Sequence, residues 1–380
     1  MNILIVNPLS EVSEVLSLIA SELYAIRRSN SKLEFYEAKK GKQLLSFKLP
    51  SNNVLRFIIT QITYAYIFLK VAKKIHVLIV NQETLEPCLT SLLAKLAGKK
   101  VIERLGGSRS YLAYFTLLSP NPFLLKISAI LSLASLKFSL AISDAIVLNC
   151  RALLKDNLYQ MYKDKIYVIP NAPPRNFYNV FKVTKEYHRR DFIVGYVAAF
   201  TLAKGVASLV HAAKIVVRKN PSVKIIFLGD WQRSHPPFLG PLLRKTIEGE
   251  ANIVFLGSIP HYKVARYMNE MRLLVLPSYT EGTPKVVLEA MACGTPVLAT
   301  PVGCIPEILA NGEHGYIISG RSSEILAEEI LKALFNPRNE SLSKKIRKYV
   351  MNIYNFEQSL KLWIELLKKL ENNARMDRAR

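Results

Sequence analysis

The chain of 380 residues is poor in cysteine, histidine and acidic charge. Its four cysteines, Cys88, Cys150, Cys293 and Cys304, form no C-x-x-C pair and fit no common zinc spacing, which excludes a zinc-finger reading and leaves too few thiols for a disulfide scaffold. The six histidines, His76, His188, His211, His235, His261 and His314, make no spaced metal set, so no protein-bound metal is expected.

Acidic residues number 29 against 52 Lys and Arg, a formal net charge of +23. The excess is spread along the chain. Residues 1–175 carry 23 basic and 11 acidic side chains, and the rest carry 29 and 18. Such a surface is drawn to anionic lipid headgroups, nucleotide phosphates or nucleic acid, and charge alone does not separate these. Nucleic-acid binding would need a basic stripe with interleaved aromatics or a known fold signature. Neither is present, so no nucleic-acid partner is expected.

Long hydrophobic runs are also scarce. Phe123 to Ile142 is twenty residues long and carries only Lys126 and Lys137 as charges. That length could cross a bilayer, but two lysines are costly in hydrocarbon. Ser128, Ser132, Ser135 and Ser139 share one helical face and the lysines the opposite one. The segment reads first as a helix of the fold, next as one that also touches a membrane surface, and last as a span. No basic stretch leading into an apolar one opens the chain. Met1-Asn2 runs straight into Ile3-Leu4-Ile5-Val6, so the expected location is cytoplasmic, with a peripheral place on the inner face of the cell membrane as its variant.

Short apolar runs alternate with helical stretches, the pattern of an α/β fold with parallel sheets. In the first half the predicted strands are 2–7, 77–80, 101–104, 145–149 and 166–169, with helices over 14–28, 54–74 and 89–97. Residues 31–50 suggest a short hairpin. Turn chemistry at Asn171-Ala-Pro-Pro-Arg175 and a polar stretch up to Asp191 read as a linker. The domains are therefore expected at 1–172 and 191–355, joined by 173–190. A C-terminal helix of about 356–372 would return to the first domain, followed by a basic tail, 373–380. Two doubly wound domains in series imply ligand binding at the carboxyl ends of their strands.

The stretch from Leu273 to Leu309 is the most informative. An apolar strand, Leu273–Leu276, leads through Pro277-Ser278 into Glu281-Gly282-Thr283-Pro284. A helix begins near Pro284-Lys285, Gly294 ends it, and Val297–Ala299 is the next strand. A helix start offers free N–H groups and a positive dipole end to an anion, and Gly282 lets the backbone approach a ligand closely. Glu289, inside the helix and flanked by Leu288, Ala290 and Met291, could accept hydrogen bonds from both hydroxyls of a ribose. The bland alternatives are that Glu281 favours the helix dipole and Glu289 is solvated.

This stretch resembles the donor-binding motif of the retaining GT-B glycosyltransferases of family 4, the group 1 glycosyl transferases. Their pattern is a Glu, seven residues, a second Glu, then G-x-P-V and a later G-G-x-x-E. Glu281, Glu289, Gly294, Pro296, Val297, Gly303 and Glu307 fall in place, with Cys304 where the second glycine is usual. A second match, Val194 to Gly205, ends in the family's Lys-Gly step. The resemblance implies a GT-B fold of two Rossmann-like, doubly wound α/β domains, and sugar transfer from a nucleoside-diphosphate sugar to an acceptor hydroxyl. Glu281 and Lys204 would be catalytic: the first touches the donor sugar, the second neutralises the diphosphate. Glu289, Gly282, Thr283, Pro284, Lys285 and Gly205 would bind the donor. No cofactor is implied beyond that donor substrate.

The family's usual Arg five residues before the Lys is Ala199 here, and its first-domain His is absent. In that region Val101 to Arg109 offers Gly106 and Gly107 as cleft lining and Arg104 or Arg109 as a phosphate partner on the acceptor side. An ion pair of Arg104 with Glu103 is the equal alternative. The expected partners are a nucleotide sugar and a glycan or lipid-linked acceptor, with an anionic membrane surface suggested by the basic charge. A sugar-nucleotide epimerase on the same scaffold is the rival enzymatic reading.

Overall fold

A computed structural model describes residues 1–6, 10–28, 32–49, 53–82, 88–106, 122–171 and 173–379. They form two compact units, Met1–Pro174 with Phe356–Arg380, and Arg175–Asn355.

The first unit is built on an eight-stranded sheet. Its strands are β1 (Asn2–Val6), β2 (Glu22–Arg28), β3 (Lys32–Glu37), β4 (Lys42–Lys48), β5 (Val77–Gln82), β6 (Lys100–Leu105), β7 (Ala145–Leu148) and β8 (Ile166–Val168), in the order β4-β3-β2-β1-β5-β6-β7-β8. β1 runs parallel to β2 and β5, and β5 through β8 continue parallel. β2, β3 and β4 pair antiparallel. Ile3–Val6 and Leu78–Val80 are wholly buried, as strands covered on both faces must be. Ile3 and Ile5 share a core with α1 (Ser10–Ile19), while Leu4 and Val6 share one with α2 (Asn53–Val71) on the other face. α3 (Cys88–Leu96) packs on α2, and α4 (Pro122–Ile142) packs on α3.

The second unit has six parallel strands: β9 (Ile193–Val197), β10 (Lys224–Leu228), β11 (Ile253–Gly257), β12 (Leu273–Leu276), β13 (Val297–Ala299) and β14 (Tyr316–Ile317). Their order is β11-β10-β9-β12-β13-β14. Its helices longer than one turn are α5 (Val206–Lys219), α6 (Leu239–Thr246), α7 (His261–Glu270), α8 (Lys285–Ala292), α9 (Ser323–Leu334) and α10 (Asn339–Ile353). The strand order reverses between β9 and β12, the position where doubly wound sheets bind ligands beyond their strand ends. The chain then returns to the first unit as α11 (Phe356–Ala379), whose Trp363, Leu366, Leu367 and Leu370 join the core of Ile3, Ile5 and Ile79.

Three expectations need correction. The helix predicted over 14–28 stops at Ile19, and Glu22–Arg28 is β2. Leu23, Tyr24, Ala25 and Ile26 are consecutively buried beside β1, and apolar spacing across Leu16, Ala20 and Leu23 imitates a helical face. The stretch 175–190 is no free linker but part of the second unit. Arg190 is 1% exposed. Its guanidinium donates to the carbonyls of Lys185, Met271 and Cys293 and to the Thr295 hydroxyl. Finally, the expected tail is helical as far as Ala379. The suggested hairpin is present as β3 and β4.

Candidate active site

The loops after β9 and β12 lie side by side at the strand-order reversal. After β9, a single tight turn over Leu202–Lys204 ends at Gly205, whose φ of 67° suits glycine. A Cβ there would meet the Pro277 carbonyl oxygen at 2.0 Å, so only glycine lets the two loops touch. The Tyr279 N–H donates to the Ala203 carbonyl at 2.8 Å and fastens the second loop to the first.

This contact brings two of the predicted residues together. Lys204 Nζ lies 2.7 Å from Glu281 Oε1. Ser278 Oγ donates to the same oxygen at 2.7 Å. The Glu281 side chain is 7% exposed and that of Lys204 31%, so the ammonium keeps an open side while the carboxylate is largely enclosed. Beneath them Tyr196 is fully buried. Burial, with the Glu281 charge adding to it, pushes its phenol well above the usual range. The Tyr196 hydroxyl donates to the carbonyl of Ala199, the position lacking the expected arginine. The Arg321 guanidinium lies 4.6 Å from the centre of the Tyr279 ring and brings a second cation to the loop.

Gly282, Thr283 and Pro284 connect Glu281 to α8. The Cys304 N–H donates to the Gly282 carbonyl at 2.9 Å, and the Thr283 hydroxyl reaches Cys304 Sγ at 3.4 Å. Pro284 stands just before α8 and makes no side-chain capping bond, and Lys285, the first helical residue, is exposed. Glu289 lies one turn further on and is 5% exposed, which rules out the solvated reading. It meets His261 Nε2 at 2.8 Å. His261, at the start of α7, packs its ring 5.4 Å from that of Phe181. Sequence reasoning missed His261, Ser278 and Arg321. His261 and Arg321 stand outside the motif stretches and Ser278 is an ordinary loop serine within one, so their contacts leave no signal in the sequence.

In the first unit Gly106 follows β6 and its carbonyl accepts from Asn149 Nδ2 at 3.1 Å. Gly107 lies outside the described residues. Arg104 is 1% exposed and donates to the carboxamide oxygens of Asn81, Asn149 and Asn171, tying neighbouring strands together. Glu103 instead accepts from Ser91 at 3.0 Å, as strand neighbours facing opposite sides of a sheet do.

Two Rossmann-like units of this topology define the GT-B class of fold. Sucrose-phosphate synthase of Thermosynechococcus elongatus superimposes with a TM-score of 0.76 at 18% identity, covering 98% of this chain and 100% of that one. HepE of Anabaena in complex with UDP gives 0.70 at 15% identity, covering 97% and 100%. At such identities the likeness concerns the fold. Residues 181–352, which lie within the second unit, match the family described as glycosyl transferases group 1. Among curated relatives, the capsular polysaccharide biosynthesis glycosyltransferase CapM of Staphylococcus aureus is 29% identical over 199 residues, 49% of this chain and 48% of its own length. The putative teichuronic acid biosynthesis glycosyltransferase TuaC of Bacillus subtilis is 34% identical over 137 residues, 36% and 31%. The chain thus spans half or less of these two relatives.

Proposed function

We propose that the protein is a retaining family 4 glycosyltransferase that moves a sugar from a nucleoside-diphosphate sugar to an acceptor hydroxyl. The observation that carries this reading is the Lys204–Glu281 pair at the strand-order reversal of the second unit. Glu281 meets the donor sugar and Glu289 the ribose hydroxyls. Lys204 turns its open side to the diphosphate, beside Gly205, the Gly282–Pro284 loop and Lys285 at the start of α8. As the glycosidic bond breaks, negative charge grows on the departing diphosphate. A fixed ammonium and a helix start stabilise it without reorganising at that moment. Arg321 supplies the second positive charge that Ala199 does not. The departing phosphate takes the acceptor's proton on the face the sugar leaves, so configuration is retained and no side-chain base is required. The donor is a substrate, and the reaction uses no resident cofactor.

Relatives named for capsular polysaccharide and teichuronic acid biosynthesis support a glycan acceptor, and the excess of basic residues supports a lipid-linked one at the inner face of the cell membrane. The test is a transfer assay over UDP-, GDP- and ADP-sugars, with UDP binding followed by calorimetry. Lys204→Ala and Glu281→Gln are each expected to cut kcat by roughly 10²- to 10³-fold with melting unchanged within a few degrees. Near-normal transfer by a Glu281→Ala enzyme would overturn the assignment.

A further inference from the structure

The two helix layers of the first unit differ in charge. α1 carries Glu11 and Glu14, and α11 carries Glu357, Glu365, Glu371 and Asp377. On the opposite face α2, α3 and α4 contain no Asp or Glu, and their only charges are Lys and Arg. A solvated helix face normally mixes both signs with polar residues. The helices of this layer hold no carboxylate, and Asp144, just past α4, pairs with Lys95 and Lys100.

It also presents apolar side chains to solvent. Over 58–69 the exposed positions of α2 are Ile58 (47%), Ile62 (58%), Tyr66 (44%) and Leu69 (60%), and every one is hydrophobic. Steps of four, four and three put them in one stripe along the helix. Leu96 on α3 and Ile130 on α4 are exposed by 76% and 66%, so the feature extends beyond α2. The stripe ends in cations: Lys70 Nζ stands 4.9 Å from the centre of the Tyr66 ring, and Lys73 and Lys74 are exposed just past the helix. Among the described residues no helix is long and apolar enough to cross a membrane.

We infer that the α2–α4 layer is a docking surface for an anionic lipid bilayer, with α2 lying in the interfacial plane. Ile58, Ile62, Tyr66 and Leu69 enter the boundary between headgroups and acyl chains, and Lys70 and Lys73 meet the headgroup phosphates. An apolar stripe with lysines at its border matches that layering. Charge decides against a second copy of this chain as the occupant. Pairing the face with itself would bring together two basic surfaces with no carboxylate in their helices to neutralise them. The surface is independent of the transfer chemistry, and it gives the proposed membrane-near acceptor a structural basis.

The experiment uses the full chain and co-sedimentation with phosphatidylcholine vesicles, with and without phosphatidylglycerol. Wild-type protein is expected to bind the phosphatidylglycerol vesicles and to release as salt rises. Ile62→Glu with Leu69→Glu should weaken partitioning by roughly tenfold or more, as should Lys70→Glu with Lys73→Glu. Both pairs are exposed, so circular dichroism and melting should be unchanged. Lys361→Glu with Lys368→Glu on α11 alters net charge equally on the other face and should leave binding near wild type. The inference is overturned if the α11 pair weakens binding as much as the α2 pair, if the stripe variants bind normally, or if wild type ignores anionic vesicles. A dimer that Ile62→Glu dissociates, without vesicle binding, would assign the face to a second copy instead. Every readout is binding, so loss of the transfer reading would leave this result standing, and the reverse holds too.

Discussion

A methyl group at position 303 would meet the carbonyl oxygen of Glu281 at 2.2 Å and that of Gly282 at 2.7 Å. Gly303 has a φ of 58°, so a larger residue there would be strained as well as crowded. Gly303→Ala must therefore displace the Glu281–Gly282 backbone, and with it the carboxylate paired with Lys204. We expect transfer to fall about 10²-fold while the fold persists, since a displacement of around 1 Å can cost that much. Kinetics beside a melting curve would check it, and unchanged kinetics would mean that the loop is not the reacting loop. At this scale the sequence was readable where a motif fixes spacing. Glu281, Glu289 and Lys204 stand out because strand, loop and helix lengths set their places. His261 and Ser278 do not, because a hydrogen bond formed between residues far apart in sequence, or by an ordinary loop serine, leaves no pattern in the chain.

Elements were legible where burial is two-sided and boundaries are marked. β12, α8 and β13 are found where apolar runs, Pro284 and Gly294 set them. β2 escapes a sequence reading because its four buried residues continue the helical spacing of α1. The polar stretch 175–190 reads as exposed by composition, yet buried Phe177, Phe181 and Tyr187, the Tyr178 hydroxyl and above all Arg190 hold it down. Arg190 spans it to Met271, Cys293 and Thr295. Burial lowers its guanidinium's affinity for the proton, and burial also pushes the neighbouring Cys293 thiol up to about 12. Arg190→Ala would leave several buried carbonyls without their donor. A loss of about 3–5 kcal/mol is expected, as when a buried polar network loses its central member. Urea denaturation would measure it, and a loss under about 1 kcal/mol would show that water replaces the guanidinium without difficulty.

At the scale of the whole molecule, the first unit is assembled from both ends of the chain. Its sheet begins with β1 at Asn2, and one face is closed only when α11 arrives after residue 355. The sequence shows such a helix by its periodicity, but its destination depends on which face β1 and β5 leave to be covered. Trp363, 2% exposed, occupies that face among Ile3, Val15, Val77 and Ile102. Removing its ring would leave a cavity bounded by β-strands that cannot move inward without breaking their ladder, so collapse should be incomplete and the cost near the upper end for a large-to-small change, about 3–5 kcal/mol. The loss should be local before it is global. Hydrogen exchange read by mass spectrometry is expected to rise first across Ile3–Val6 and Val77–Val80, the strands that α11 covers. Wild-type protection there in Trp363→Ala would mean that those strands hold together without the helix, and that the C-terminal segment is bound to the first unit but not needed to build it.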